Sequence, residues 1–289
     1  MRIGVLVPNS GPWPLDLGIP RMARTAEAAG FDSLWVSDHI VLPESIESHY
    51  PFAADGRATW PSDTPYVDAL VALALMAAAT ERPTLGTAVL VLPLRHPVIF
   101  AKQAASIDIA SGGRLRLGVG AGWLREEFEA LGVPFEGRGG RLVEWMEIAR
   151  DCWTGRPQAR SSERYTLPAG VLCLPTPARP IPFLMGGHSP SALRRAGMLA
   201  DGWLGQQSLS ELDPDALAAA ATAMRTAAKE AGRDPRELQV VLRLVDSAGR
   251  ADEVAAALPA LAGAGVDEIV VNVDWARGDA AEAYARMRA

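Results

Sequence analysis

An aspartate and a histidine stand side by side where an apolar run ends, in the segment Ser37-Asp38-His39. A carboxylate next to an imidazole suits general acid–base chemistry, because histidine exchanges protons near neutral pH and a carboxylate can hold its ring in place. The pair is equally consistent with a local role, in which Asp38 caps a turn and His39 packs beneath the following loop. The residues alone leave both interpretations open.

A second candidate site is the segment Gly186-Gly187-His188-Ser189, which follows the apolar run PFLM and precedes a helical stretch. Two glycines and a serine at a helix N-terminus leave backbone N–H groups free, and the helix dipole favours an anion there. This combination predicts a phosphate site. Ser189 also fits a simple N-cap with Pro190 at the first helical position, which is compatible with phosphate binding.

Glycines interrupt two further apolar runs, Gly86-Thr87-Ala88-Val89 and Gly118-Val119-Gly120-Ala121-Gly122, the second followed by Trp123. A glycine inside a strand often marks a bulge or a close approach, so we expect the bare backbone to make room for a planar ligand. A layer of small residues inside a barrel would explain the first run as well. The second run does not open a helix as a dinucleotide fingerprint must, which excludes a Rossmann site.

The sequence gives little support for other kinds of catalytic or metal site. Arg95 and Arg141 are candidates for holding an anion, although arginines are more often solvated. The two lysines fall inside predicted helices, and no GxSxG nucleophile motif is present. Two cysteines, Cys152 and Cys173, and four scattered histidines give neither metal-ligand spacing nor a disulfide framework. We expect reduced thiols, with Cys152 in the core, and no structural metal.

The candidate residues lie at the ends of apolar, β-branched runs that alternate with alanine-rich helical stretches. Eight such units in 289 residues favour a closed (β/α)8 TIM barrel, an α/β fold whose chemistry sits at the C-terminal ends of the strands. The segment Thr154–Pro180, rich in Pro, Arg and Ser, interrupts the alternation after the fourth unit and predicts an insertion. Without a linker, residues 1–289 are expected to form one domain.

Charge and hydropathy exclude several partners. A net charge of −6 leaves no broad cationic face for nucleic acid. No apolar run approaches the ~18 residues that a membrane helix needs. The first residues, MRIGVLVP, enter a strand-like run without the features of a signal peptide, so we expect a cytoplasmic protein.

Several motifs occur in order along nearly the whole chain: RIGVLVP, SDHI, GTAVLVLPLRHPVIFAKQAASIDIASGGRLRLGVGAGW and PFLMGGHSPSALRRAGMLADGW. Together they resemble the bacterial-luciferase-like monooxygenase superfamily. Its members are (β/α)8 barrels that bind FMN or the deazaflavin coenzyme F420 at the C-terminal ends of the strands. The segment Ser37-Asp38-His39 resembles the F420-dependent oxidoreductase branch.

The resemblance implies hydride transfer between F420 and an unidentified small organic substrate. His39 would move the accompanying proton, and Asp38 would orient the His39 side chain. A bulge in strand three, with a non-prolyl cis peptide at Ala88-Val89, would support one face of the cofactor ring. The loop from Ile40 to Pro65 would cover the site. The remaining implied contacts are Thr87, Gly120, Gly122, Gly186, Gly187, His188 and Ser189 for the cofactor, and Trp60 and Trp123 for the substrate pocket.

Trp123 stands where the sugar-phosphate dehydrogenases of that branch carry an acidic residue, which disfavours glucose 6-phosphate as substrate. Two alternatives stay open: an FMN-dependent monooxygenase of the same superfamily, and a non-catalytic flavin- or deazaflavin-binding protein. The family also implies a homodimer through the predicted helices Tyr66–Thr80 and Pro97–Ala110. The apolar face of Val67 to Ala78 is consistent with that interface, but burial inside the monomer explains it equally well.

Overall fold

Eight parallel strands close into a barrel in a computed structural model that describes residues 1–53, 55–58 and 60–288. The strands in chain order are β1 (Arg2–Leu6), β2 (Ser33–Val36), β3 (Thr84–Val91), β4 (Leu115–Gly120), β5 (Arg160–Ser161), β6 (Thr166–Leu167), β7 (Phe183–Gly186), β8 (Gly202–Ser208), β9 (Gln239–Val245) and β10 (Glu268–Val271). All but β5 and β6 belong to the barrel, which closes by pairing β1 with β10. The predicted (β/α)8 barrel is confirmed.

Helices surround the barrel and connect its strands. They are α1 (Trp13–Asp16), α2 (Ile19–Ala29), α3 (Ala69–Ala79), α4 (Pro97–Ala110), α5 (Arg125–Ala130), α6 (Arg138–Cys152), α7 (Pro190–Leu199), α8 (Pro214–Glu230), α9 (Ala251–Gly263) and α10 (Ala280–Arg288). Helix α4 has the predicted bounds, with a proline in its first turn.

Helix α3 begins three residues later than the sequence predicts. The side chain of Asp68 accepts hydrogen bonds from the N–H groups of Leu70 and Val71, which makes Asp68 the N-cap. Tyr66, the predicted start, instead forms an isolated antiparallel bridge with Ser10. The apolar pattern extends past the helix because residues on both sides of the cap are packed against the barrel.

The predicted insertion lies between α6 and β7 and contains the antiparallel hairpin of β5 and β6. Cys152, at the end of α6, and Cys173, in the insertion, are both buried and free. Burial raises the pKa of the Cys152 thiol to about 12, and the neighbouring Cys173 adds to the rise. The Cys152 thiol is therefore an unreactive core side chain at neutral pH.

Side chains fill the barrel interior in layers. Towards the N-terminal ends of the strands, Arg116 donates to Glu268 (Nη1 to Oε2, 2.6 Å) and to Gln239 (Nη2 to Oε1, 2.7 Å). An apolar layer adjoins this polar one, formed by Leu6, Trp35, Ala88, Leu184, Leu204, Val241 and Val270. A packed interior leaves the C-terminal ends of the strands as the place where a ligand can enter.

None of the helices in the described part of the chain has the length and apolar character of a membrane span. Within the same residues, no group of three or more His, Cys, Asp or Glu side chains is arranged to hold a metal ion.

Candidate active site

His39 lies just beyond the end of β2 and is buried. Its Nδ1 is 3.0 Å from Oε2 of Glu127, a buried residue of α5. The other oxygen of Glu127 accepts from the backbone N–H groups of Ile40, at 2.6 Å, and Val41, at 3.3 Å. Because a carboxylate only accepts, Nδ1 carries the proton of the neutral imidazole and Nε2 remains to exchange one. Glu127 thus fixes both the ring and the start of the following loop.

Asp38 makes different contacts from those expected. Its Oδ2 accepts from Arg95 Nη1 at 2.6 Å and from the Val91 N–H at 2.8 Å, and its Oδ1 accepts from Arg95 Nη2 at 2.8 Å. Burial raises the pKa of Asp38, while the Arg95 guanidinium acts against that rise. The prediction that Asp38 orients His39 is corrected, because the carboxylate on the imidazole is that of Glu127.

Arg95, a candidate anion holder from the sequence, is occupied within the protein. Besides Asp38 it binds Asp68 Oδ2 at 2.9 Å, and so ties the end of β2 to the start of α3. Burial by itself lowers the pKa of Arg95, but the two carboxylates outweigh it and raise the pKa. The other candidate, Arg141, donates to the carbonyl of Pro134 at 2.6 Å. Both arginines have structural roles.

The loop between β2 and α3 is held at a second point by Glu126. Its Oε1 accepts from the N–H groups of Glu47 and Ser48 at 2.7 and 2.9 Å, and its Oε2 accepts from the Ser48 hydroxyl at 2.6 Å. Burial raises the pKa of Glu126, but these hydrogen bonds outweigh it and lower the pKa. Adjacent acids of α5 therefore anchor the loop that follows His39.

Aromatic rings surround His39. The ring centroids of Tyr66, Trp60 and Trp123 lie 5.3, 5.8 and 6.0 Å from that of the imidazole. The structure thus brings Trp60 and Trp123, the residues predicted for the substrate pocket, together at the predicted proton-transfer residue.

Three rings of the loop, which we call the lid aromatics, are Tyr50, Phe52 and Trp60. Tyr50 contacts both of the others, with centroid distances of 5.2 Å to Trp60 and 5.7 Å to Phe52. Phe52 in turn lies 5.7 Å from the ring of His188, beyond the end of β7. The lid aromatics therefore cross the mouth of the barrel from the β2 side to the β7 side.

The pairing of β3 with β4 shifts register between Thr87 and Leu90, so the predicted strand-three bulge is present, and the Ala88–Val89 peptide is cis as the resemblance implied. The Val89 side chain occupies the space that two glycines leave. A Cβ at Gly120 would stand 2.7 Å from Val89 Cγ2, and one at Gly186 would stand 2.8 Å from Cγ1. This corrects the expectation of open space above Gly120.

Two other expected cofactor contacts serve the fold. The buried Thr87 hydroxyl donates to the carbonyl of Gly118 at 2.7 Å and so joins β3 to β4. Gly122 has φ +86° and a Cβ there would stand 2.7 Å from both Phe128 and Val91, so glycine is required for close packing. Neither feature calls for a ligand.

The predicted phosphate loop ends β7 and begins the ten-residue helix α7. Ser189 is the N-cap, its Oγ accepting from the Ala192 N–H at 3.2 Å. Gly187 has φ +114°, a conformation that L side chains rarely adopt. The half-exposed His188 accepts from the Gln206 N–H at its Nε2, at 3.0 Å, and burial lowers the pKa of His188. His188 is therefore a neutral group at this helix N-terminus.

Three arginines come together at the first turn of α6, and we call them the rim arginines: Arg138 of α6, Arg164 of the insertion and Arg195 of α7. The Arg195 guanidinium of α7 lies 3.6 Å from the position of a Cβ on Gly139, and that of Arg164 lies 3.4 Å from the corresponding position on Gly140. Arg195 Nε is buried without a partner among the described residues. Arg138 Nε donates to the Gly122 carbonyl at 2.9 Å, and Arg164 also pairs with Glu144 at 3.3 Å.

Residues 1–288 match the family described as luciferase-like monooxygenase. The chain belongs to this family. Membership in the luciferase-like monooxygenase family confirms the resemblance seen in the motifs, and with it the prediction of an F420- or flavin-dependent oxidoreductase enzyme.

An uncharacterised protein of Mycobacterium tuberculosis is 38% identical over 221 residues, covering 76% of this chain and 75% of the relative. An F420-dependent glucose-6-phosphate dehydrogenase of Nakamurella multipartita is 31% identical over 228 residues, covering 77% of this chain and 61% of the relative. A solved F420-dependent secondary alcohol dehydrogenase, in complex with an F420–acetone adduct, superposes with a TM-score of 0.79 at 20% identity. That match covers 100% of this chain and 99% of the other and shows the shared barrel.

The sequence did not single out Glu126, Glu127 or the rim arginines. The two acids stand within a few residues of the end of β4, where a (β/α)8 barrel places its chemistry, and that position is the signal that could have found them. The rim arginines come from α6, α7 and the insertion, and nothing in their spacing along the chain predicts that they meet.

Proposed function

We propose that this chain is an F420-dependent oxidoreductase that moves a hydride between coenzyme F420 and a small organic substrate at the barrel mouth. When bound, the deazaflavin would supply the carbon that carries the hydride. The chain's own residues would hold the ring and its anionic stem, move the accompanying proton and keep water out.

Features of the mouth fit a planar cofactor with an anionic stem. Val89 rises between two bare glycines and offers an apolar support for one ring face. Trp60 Nε1 and Arg243 Nε are buried donors without partners among the described residues, and a ring with carbonyl and imide groups would supply acceptors. The stem would meet the N-terminus of α7 at Gly187, His188 and Ser189.

The observation that favours F420 over FMN as the cofactor is the cluster of rim arginines. FMN ends at its phosphate, whereas F420 continues past its phosphate into a lactate and glutamates, and so needs cationic contacts outside the phosphate loop. Arg195 lies six residues after Ser189, about 9 Å along the helix axis at a rise of about 1.5 Å per residue. Its Nε has no partner among the described residues, and its guanidinium lies against Gly139, which has no side chain to obstruct a carboxylate that binds there. The 31% identical F420-dependent relative supports the same choice.

His39 is the residue we assign to proton transfer. Its Nδ1 is held by Glu127, so Nε2 is the atom that would exchange a proton with the substrate. Trp123 and Trp60 beside it offer apolar walls, which favours a substrate with an apolar body. The lid aromatics cross the mouth, so a tricyclic ring must displace them as it enters and would then be shielded by them.

Titration of the purified protein with F420 and with FMN, followed by cofactor and tryptophan fluorescence, tests this proposal. We expect F420 to bind at least about tenfold more tightly than FMN, a difference of about 1.4 kcal/mol. Arg195→Gln should weaken F420 binding and leave FMN binding unchanged. Arg194→Gln is the matched control, because this neighbour on α7 is exposed and paired with Glu230. Tight FMN binding without F420 binding would overturn the assignment.

The family description keeps an FMN-dependent monooxygenase as the second candidate. Oxygen consumption with reduced FMN and no turnover of F420 would favour it. A non-catalytic carrier of the cofactor is the third, and His39→Gln separates it from an enzyme. An enzyme should lose turnover in this variant while keeping its cofactor affinity, whereas a carrier shows no turnover to lose.

We also propose a homodimer formed through α3 and α4. Val71 and Leu75 of α3 and Ile99 of α4 expose 53%, 40% and 58% of their surface, an unusual amount for side chains of this kind. Sedimentation analysis of the native chain and of Val71→Lys tests this interface, and a monomeric native chain would refute it.

A further inference from the structure

Arg243 enters the barrel from β9. Val241, two residues earlier on the strand, belongs to the apolar interior layer, and side chains two apart on a strand share a face. Arg243 therefore points inward, one layer closer to the mouth. Its Nη1 donates to the Ala88 carbonyl at 2.9 Å, next to Val89, while its Nε is buried without a partner among the described residues.

Two other arginines that are buried in the described part of the chain have carboxylate partners, whereas Arg141 donates to a backbone carbonyl and Arg243 has no carboxylate partner. Arg95 binds Asp38, and Arg116, which also points into the barrel, binds Glu268. Within the described residues no acidic side chain forms an ion pair with Arg243, and the ionisable neighbours that act on it are the hydroxyls of Tyr50 and Tyr66. Burial lowers the pKa of Arg243.

A buried charge without a counter-charge is unfavourable for the fold. Such a group is found where a ligand supplies the missing charge, since binding sites keep arrangements that stability alone would remove. Arg243 lies at the same barrel mouth as His39 and the lid aromatics, and its guanidinium contacts the Ala88 carbonyl beside Val89. A counter-charge from a ligand would therefore stand next to the cis peptide of β3.

We propose that Arg243 binds an anionic oxygen group of the ligand that occupies the barrel mouth. The inference rests on the proposed function, because it places that ligand beside Ala88 and Val89. A planar guanidinium suits a delocalised oxyanion, and two sources share this chemistry. One is the carbonyl edge of the reduced cofactor ring, which carries negative charge. The other is a substrate with a carboxylate or an enolate.

Two variants and one control test the proposal. Arg243→Met removes the charge with little change in length, and Arg243→Lys keeps a charge without the planar fork. Arg277→Met is the control, because the Arg277 side chain is 79% exposed outside the barrel. For each protein we would measure the melting temperature, the affinities for oxidised and reduced F420 and FMN under anaerobic conditions, and the affinity for benzoate as a carboxylate probe.

If the anion is the reduced ring, Arg243→Met should weaken binding of the reduced cofactor by a factor at least about ten times larger than the factor for the oxidised cofactor. The potential of the bound cofactor would then fall by about 30 mV for each tenfold of difference in this two-electron couple. If the anion belongs to the substrate, both redox states should bind as before, and benzoate binding should be lost in Arg243→Met and partly kept in Arg243→Lys. Either result supports the proposal.

The proposal is overturned if Arg243→Met binds both redox states and benzoate as the native protein and Arg277→Met do. It is overturned as well if Arg243→Met and Arg243→Lys lose melting temperature and ligand affinity to the same extent, because the arginine would then serve the fold alone. Failure of the proposed function gives a different result, because the native protein would then bind neither F420 nor FMN. The difference in benzoate affinity between the native protein and Arg243→Met would still test the role of Arg243.

Discussion

Oε2 of Glu127 lies 3.0 Å from Nδ1 of His39, and the same carboxylate accepts hydrogen bonds from the loop backbone that follows the histidine. One acidic side chain of α5 thus controls two things, the orientation of the imidazole and the path of the loop over the barrel mouth. A change at Glu127 should therefore affect proton transfer more than it affects the fold.

We predict that Glu127→Gln lowers kcat about a hundredfold, at the low end of what general acid–base catalysis contributes, with little change in cofactor affinity. Glutamine keeps an acceptor for the Ile40 N–H but removes the charge that stabilises a protonated imidazole. Glu129→Gln, an exposed change in the same helix, is the control. Steady-state kinetics and cofactor titration give the answer, and an unchanged pH profile of kcat in Glu127→Gln would refute this role.

Asp38 and Arg95 form a buried ion pair, so we predict that removal of one partner is strongly destabilising. Asp38→Ala leaves the Arg95 guanidinium with the half-exposed Asp68 alone and should cost about 3–5 kcal/mol in the free energy of unfolding. Urea unfolding measures this value, with the exposed pair of Arg194 and Glu230 as control.

In that control Glu230→Ala should cost about 1 kcal/mol or less, because both partners are exposed. The double variant Asp38→Ala/Arg95→Met should recover part of the loss, since no charge is then left buried. Equal losses from Asp38→Ala and Glu230→Ala would show that Asp38 does not hold the fold.

The sequence predicts the barrel because apolar runs and helical stretches alternate along the whole chain, and it predicts His39 because local pattern and resemblance agree on it. It could not supply Glu127, which lies 88 residues away and meets His39 only after the barrel closes. Thr87 shows a second limit. The register shift that follows it in β3 changes which residues face the interior, and spacing alone does not reveal that shift.

Val89 packs against two glycines, and we predict that Gly120→Ala is destabilising by about 1–3 kcal/mol, the usual range for overpacking. The new Cβ would stand 2.7 Å from Val89 Cγ2, which must move. Val89→Ala in the same chain should recover most of the loss, because it removes the colliding methyl group. A double-mutant cycle of unfolding free energies tests the coupling, and strictly additive losses would disprove it.

Burial lowers the pKa of His188 below its ordinary value of 6.5, and this predicts a specific loss of stability in mild acid. As the pH falls through about 6.5, the unfolded chain takes up a proton at this residue before the folded chain does, so the folded state loses stability. The bond from the Gln206 N–H to Nε2 also requires an unprotonated nitrogen. Above that pH both states are neutral and the effect is absent.

His188→Gln should therefore show a smaller fall in melting temperature between pH 7.5 and about 5.5 than the native protein does, because glutamine can accept from Gln206 at either pH. Carboxylates whose pKa is lowered in the folded state, such as Glu126, lose their contribution to folding stability only below about pH 4.5. They therefore do not affect the comparison between pH 7.5 and about 5.5. Identical pH dependence in native protein and His188→Gln would show that His188 is not the group that titrates.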